Sequence, residues 1–129
     1  MNTDTNRDAK WREELRSALS AKERTSIPRA VIPQLDPKFR VHSNHEVNQG
    51  LSQAQAVLEA TRCLDCPDPQ CIQGCPVSIA IPSFIKNIER GEILTAAKVL
   101  KQTSALPAVC GRVFPQEKQC ESRCIYNKM

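Results

Sequence analysis

The residues able to do chemistry in this 129-residue chain are its seven cysteines, which fall in two groups. The first group reads Cys63-Leu-Asp-Cys66-Pro-Asp-Pro-Gln-Cys71-Ile-Gln-Gly-Cys75-Pro76, a C-x2-C-x4-C-x3-C-P run. The second reads Cys110-Gly-Arg-Val-Phe-Pro-Gln-Glu-Lys-Gln-Cys120-Glu-Ser-Arg-Cys124. The polar N-terminus has no apolar stretch that would act as an export signal, so the cytoplasm is the expected compartment. Thiols stay reduced there, and clustered cysteines point to metal or redox chemistry; an odd number also fits a complete disulfide set poorly. Zinc sites use C-x2-C pairs and are the simpler alternative, giving an interaction module stabilised by metal. Four cysteines packed into one loop with a terminal Cys-Pro fit an iron–sulfur cubane better.

Two such groups separated by two short helices are the layout of a two-cluster ferredoxin module. A cubane takes ligands at four corners. A short irregular loop presents three thiolates readily, and the fourth arrives from elsewhere in the chain, which ties the fold together. On that logic one cluster takes Cys63, Cys66, Cys71 and the distant Cys124. The other takes Cys75, Cys120 and a ligand from the Cys110–Phe114 segment. Two all-cysteine cubanes need eight thiolates and the chain has seven. One corner is therefore non-cysteine, or one cluster is absent.

The elements that must position these thiols are helical. Ser52 and Gln55 form an S-x-x-Q capping box that opens a helix running to about Arg62 and delivers Cys63 at its end. Pro82 suits the first turn of the next helix, with a stripe of Ile81, Phe84, Ile85 and Ile88 and Gly91 as a left-handed cap. A further helix is expected from about Glu92 to Gln102, with Ile93, Ala96, Ala97 and Leu100 on one face, and Pro107 cannot continue it. No stretch alternates long enough for a strand, so the expected fold class is all-α. Residues 1–50 contain no cysteine and are read as a separate N-terminal helix and arm, with residues 51–129 as the domain that bears the chemistry. Over residues 8–22, Trp11, Leu15, Ala18 and Leu19 make one apolar stripe. Arg12, Arg16 and Lys22 lie off that stripe and read as a solvated basic face. From Thr25 to His42 the prolines favour an extended arm, with Ile27, Val31, Ile32, Leu35 and Phe39 laid on something apolar.

Composition removes other functions. Four scattered glycines write neither G-x-G-x-x-G nor G-x-x-x-x-G-K-[ST], so nucleotide binding by those loops is excluded. There is no long apolar run to span a membrane. A net charge of +4 with 4% aromatics is a poor basis for nucleic-acid binding. His42 and His45 read as ordinary arm residues, and no Ser-His-Asp arrangement can be written. Arg62, Arg112, Lys118, Arg123 and Lys128 flank the thiols, where cations would raise a cluster's potential and Asp65, Asp68 and Glu121 would lower it.

The stretch R-C-L-D-C-P-D-P-Q-C-I-Q-G-C-P-V, then I-P-S-F-I-K, then L-P-A-V-C-G-R-V-F-P-Q-E-K-Q-C-E-S-R-C resembles the N-terminal iron–sulfur domain of the NADPH-dependent glutamate synthase small (beta) subunit family. The same domain type occurs in dihydropyrimidine dehydrogenase and in the large subunit of NADH-dependent ferredoxin:NADP oxidoreductase. The similarity runs from about Ile27 to the C-terminus. It implies an alpha-helical ferredoxin fold with two 4Fe-4S clusters relaying electrons from NADPH and FAD toward the FMN of a glutamate synthase large subunit. FAD and NADPH would belong to C-terminal domains beyond these residues, the fragment alone being non-catalytic. The resemblance assigns Cys63, Cys66, Cys71 and Cys124 to one cluster. To the other it assigns Cys75, Cys120, a cysteine at the position of Phe114 and a downstream Gln or Glu. Phe114 cannot ligate iron, so Cys110, one turn earlier, is the expected substitute. The downstream ligand would lie past Met129, with Glu117 and Glu121 as the nearest stand-ins.

Overall fold

The computed structural model describes residues 4–129 and, over them, is all-α. Nine α-helices follow in order among the described residues: α1 Lys10–Ala18, α2 Ala21–Ser26, α3 Pro37–Arg40, α4 Gln53–Thr61, α5 Gln70–Gln73, α6 Ile81–Glu89, α7 Ile93–Lys101, α8 Pro107–Val113 and α9 Cys120–Arg123. Two 3-10 turns, Gln116–Lys118 and Ile125–Lys128, flank α9. The only extended pairing among the described residues is an isolated bridge between Gln34 and Asn48.

Local signals account for the second half. Ser52 caps α4 in a full capping box with Gln55. Pro82 sits in the first turn of α6, and Gly91, at φ +84°, ends the turn after it in the left-handed region that glycine enters without strain. Helices α4 and α7 pack on α6, and α5 packs on α9.

The first half departs from expectation. The helix expected over residues 8–22 is broken at Leu19, and Ser20 opens α2 with its own capping box to Glu23. Ser-x-x-Glu is the signature that stops one helix and starts another. Arg12 is buried, not solvated, and Arg16 is largely covered. The arm is not continuously extended: α3 interrupts it behind the Asp36 cap, and Leu35 and Gln49 donate to the carbonyls of Val47 and Pro33 at 2.9 and 2.8 Å. Ile27 and Leu35 are half-buried, whereas Val31, Ile32 and Phe39 are exposed.

The interior is small and polar. Among the described residues, Ala9, Ala60, Pro82, Ala96 and Val99 are the buried apolar ones, against Arg12, Arg24, Asp65, Ser83, Lys86, Asn87 and Ser104. On α6 the deepest face is therefore Ser83, Lys86 and Asn87, with the apolar stripe Ile81, Phe84, Ile85 and Ile88 only half-buried. On α7 the buried positions are Ala96 and Val99, while Ile93 and Ala97 face solvent. The physical reason is that the α6 polar face meets a chain of donors and acceptors from residues 4–16. Arg12 donates to Ser83 Oγ at 2.9 Å, and Asn87 Nδ2 donates to the Asp4 carbonyl at 3.0 Å. Arg90 stacks over the Trp11 ring at 3.9 Å, joining α1 to the end of α6.

Candidate metal centre

Each thiol is delivered by a short element. Cys63 leaves the last turn of α4, its N–H donating to the Ala60 carbonyl at 3.1 Å. Cys71 lies within α5, and Cys75 follows it, its N–H donating to the Ile72 carbonyl at 3.1 Å. Cys120 begins α9 and Cys124 caps its end. The two loops meet because Gly74 has no side chain: a Cβ there would lie 2.7 Å from the Gln119 carbonyl oxygen and 2.9 Å from Arg123 Cγ. Glycine at 74 lets the Cys71–Cys75 turn seat against the start of α9.

The charges that the thiols feel divide them into two groups. Cys66 is raised by burial and then by Cys124; Cys71 is pushed up to about 12, first by burial and then by Cys63 and Cys124. Cys63 is raised by burial, with Cys66 adding to the effect. Cys63, Cys66, Cys71 and Cys124 thus form one mutually interacting set. Cys120 is raised by burial, with Cys75 acting on it in turn. Cys110 is exposed on α8, four residues before Phe114, whose N–H donates to the Cys110 carbonyl at 2.9 Å. It does not figure among the leading charges on any of these thiols.

Backbone donors stand ready for thiolate. The Ile79 N–H reaches Cys75 Sγ at 3.5 Å. The amides of Asp65, Ile72 and Glu121 favour the ionised forms of Cys63, Cys71 and Cys120. Such N–H contacts to sulfur tune iron–sulfur ligands. Among the described residues, no three His, Cys, Asp or Glu side chains converge as they would around a single ion.

Cations distant in sequence also reach the first cysteine loop. Lys86, fully buried, donates from Nζ to the Cys63 carbonyl at 2.7 Å and pairs with Glu89 at 2.6 Å. Arg24 pairs with the same Glu89 at 2.8 Å. Asp65, between Cys63 and Cys66, is fully buried against Arg12 and Arg16. Around this loop the buried and half-buried cations Arg12, Arg16, Arg24 and Lys86 outnumber the carboxylates Asp65 and Glu89. Surplus positive charge around the loop that bears Cys63 and Cys66 fits an anionic thiolate-bound cluster, so these residues fit the group that their spacing implies. Of the flanking cations, Arg62 turns inward, paired with Glu59 and stacked 4.8 Å over Tyr126, while Arg112 pairs with Glu46 at 2.6 Å on the surface. Lys118, Arg123 and Lys128 are exposed. Glu121 is taken up by Arg29 of the arm at 2.6 Å, Glu117 is exposed, and His45 stacks on Phe39. The burial of Arg12, Arg16 and Lys86 was missed from sequence: Asp65 lies too far from the two arginines for spacing to reveal it, and the Lys86–Glu89 pair at i,i+3 reads as an ordinary surface pair.

The chain is similar to known proteins over most of its length. Residues 40–129 match the family described as dihydropyrimidine dehydrogenase domain II, 4Fe-4S cluster. It is 41% identical over 95 residues, 74% of this chain, to the glutamate synthase (NADPH) small chain of Escherichia coli (strain K12), of which that covers 20%. It is 40% identical over 96 residues, 74% of this chain and 20% of the relative, to the glutamate synthase (NADPH) small chain of Halomonas elongata. It is also 39% identical over 79 residues, 61% of this chain and 19% of the relative, to the NAD-dependent dihydropyrimidine dehydrogenase subunit PreT of Escherichia coli (strain K12). The matched segment thus spans about a fifth of the length of these relatives. With the family's residues and the paired thiol sets in one all-α fold, the chain belongs to the dihydropyrimidine dehydrogenase domain II, 4Fe-4S cluster family.

Proposed function

We propose that this chain is the electron-relay segment of a flavin- and nicotinamide-dependent oxidoreductase of the glutamate synthase small-chain type, carrying two 4Fe-4S clusters. The observation that carries this reading is the match of residues 40–129 to a 4Fe-4S cluster domain, with Gly74 seating the Cys71–Cys75 turn against the start of α9. Cys63, Cys66, Cys71 and Cys124 would hold one cluster. Cys75 and Cys120 would hold the second, with Cys110 in place of the cysteine absent at Phe114 and a non-thiolate group at the last corner. When bound, such clusters supply one-electron transfer.

The chain's own residues do the rest. Burial raises the thiols of Cys63, Cys66, Cys71 and Cys120, so loading must displace protons that the ligand-free fold retains. Backbone amides offset that cost at the sulfurs, and the buried cations offset the charge left behind. A division at residue 50 would put the cluster-bearing unit in 51–129, with contacts to it from residues 4–50. In the whole protein the flavin and nucleotide sites lie in further domains, and the electron acceptor is the FMN-bearing large subunit. The relative that names dihydropyrimidine dehydrogenase makes pyrimidine reduction the alternative acceptor chemistry.

An anaerobic reductive titration of the loaded chain tests the cluster count. Two cubanes accept about two electrons per chain. Replacing Cys110 with Ser should remove about one of them while leaving the first set reducible. An unchanged titration in Cys110→Ser would sink the substitution at the second site. Co-purification of the full-length protein with its partner, followed by assay for glutamate formation against pyrimidine reduction, separates the two acceptor chemistries.

A further inference from the structure

Asp65 is the most tightly held side chain of the first cysteine loop, and every group that holds it comes from the N-terminal residues. Arg12 grips the carboxylate in a two-pronged contact, Nε to Oδ2 at 2.9 Å and Nη2 to Oδ1 at 2.6 Å. Arg16 Nη1 adds a third bond to Oδ2 at 2.8 Å, and Arg7 donates to the Asp65 main-chain carbonyl at 3.2 and 3.1 Å. Arg12 is anchored in turn to Ser83 Oγ on α6 at 2.9 Å and to the Thr5 carbonyl at 3.2 Å. Asp65 adopts φ +52°, in the left-handed region that aspartate enters more readily than most non-glycine residues. That conformation turns the chain between Cys63 and Cys66. The family match begins at residue 40, so the three arginines lie outside it.

We propose that residues 7–16 form a clasp whose function is to hold the Cys63–Cys66 turn in the shape that presents both sulfurs to the cluster. Arg12 and Arg16 are positioning residues: they touch no sulfur and act through Asp65. The loop has few apolar contacts of its own, Leu64 being half-buried and Pro67 and Asp68 exposed, so this polar grip supplies the restraint that packing does not. Bidentate guanidinium–carboxylate geometry is specific to arginine, and lysine reproduces the charge without the fork. Partners behind metal ligands affect metal retention on the order of tenfold or more.

This inference rests on the proposed binding of a cluster by Cys63, Cys66, Cys71 and Cys124. The test uses the full chain, reconstituted anaerobically, in wild-type form and as Arg12→Met, Arg12→Lys, Asp65→Asn and, for comparison, Lys98→Met. Three readouts are taken: the rate of bleaching under a chelator, the reduction potential and the helix content by circular dichroism. Arg12→Met should bleach on the order of tenfold faster than wild type with its helix content kept. Arg12→Lys should fall between the two, and Lys98→Met, at an exposed position of α7, should match wild type. Removal of the buried carboxylate in Asp65→Asn should move the potential upward, and removal of the buried cation in Arg12→Met should move it downward. A role confined to folding would lower helix content in step with cluster retention. Bleaching of Arg12→Met at the wild-type rate overturns the clasp. Loss of helix content in Arg12→Met and Asp65→Asn together overturns it too, because the pair then holds the whole fold. A wild-type chain that takes up no iron overturns the underlying cluster reading and the clasp with it; a wild type that loads with unaffected variants overturns the clasp alone.

Discussion

Cys71 shows at the residue scale what the ligand-free site costs. Its thiol is pushed up to about 12, first by burial and then by the neighbouring Cys63 and Cys124. The folded, ligand-free chain therefore keeps this proton where an unfolded chain, near 9.0, would release it. The stabilising difference is complete below pH 9.0 and is lost as pH rises through about 12. Thiolate is the reactive species, so alkylation of the ligand-free chain at mildly alkaline pH should label exposed Cys110 well before Cys71. Peptide mass spectrometry after timed iodoacetamide treatment gives the order; Cys71 labelled as fast as Cys110 would contradict it. Asp65 presents the opposite balance: burial pushes it up, yet hydrogen bonds from Arg12 and Arg16 outweigh that and hold it below the ordinary carboxylate range. The cysteines were legible from sequence because their spacing carries the chemistry. Arg12 and Arg16 were not. A cation off an apolar helix stripe ordinarily faces water, and its partner, Asp65, is 53 residues distant from Arg12.

At the scale of elements, the local rules were readable wherever the signal lay within a few residues. The Ser52–Gln55 box, Pro82 and Gly91 fall where they were expected. The Ser20–Glu23 box was equally visible as Ser-x-x-Glu and would have divided the first helix correctly. The buried polar face of α6 had no such signal, since hydrophobic periodicity points to Ile81, Phe84, Ile85 and Ile88. The joint between α5 and α9 was also hidden, because Gly74, with φ −79°, is needed for a close approach and not for its backbone angle. Gly74→Ala should force these elements apart at a cost of roughly 1–3 kcal/mol. The backbone oxygen of Gln119 cannot swing aside as a side-chain tip would. The variant is expected to lower the urea midpoint and to reduce iron incorporation, because the shift separates Cys71 and Cys75 from Cys120 and Cys124. A variant with wild-type midpoint and iron content would show that the joint is looser than the geometry requires.

For the whole molecule, the small apolar interior is the informative feature. Among the described residues the buried apolar side chains, Ala9, Ala60, Pro82, Ala96 and Val99, are few and small for a chain of this size. Ion pairs link its parts: Arg24 on α2 to Glu89 on α6, Arg29 in the arm to Glu121 on α9, Arg112 on α8 to Glu46 in the arm. Tyr126 OH donates to the Arg62 carbonyl at 2.7 Å, fastening the C-terminal turn to the end of α4. The loops bearing Cys63–Cys75 and Cys120–Cys124 are the parts that bound inorganic clusters would join, which makes cluster binding part of folding. No helix of the described residues is long and apolar enough to cross a membrane.

The central claim is that Cys63, Cys66, Cys71 and Cys124 together hold a 4Fe-4S cluster. Mössbauer spectroscopy with iron, sulfide and zinc analysis of the anaerobically purified chain, beside a Cys124→Ser variant, tests it most directly. The account predicts a brown protein with the cubane signature and acid-labile sulfide, and loss of one cubane's share of both in Cys124→Ser. A colourless protein containing zinc and no sulfide, or a Cys124→Ser variant with undiminished iron and sulfide, would contradict it.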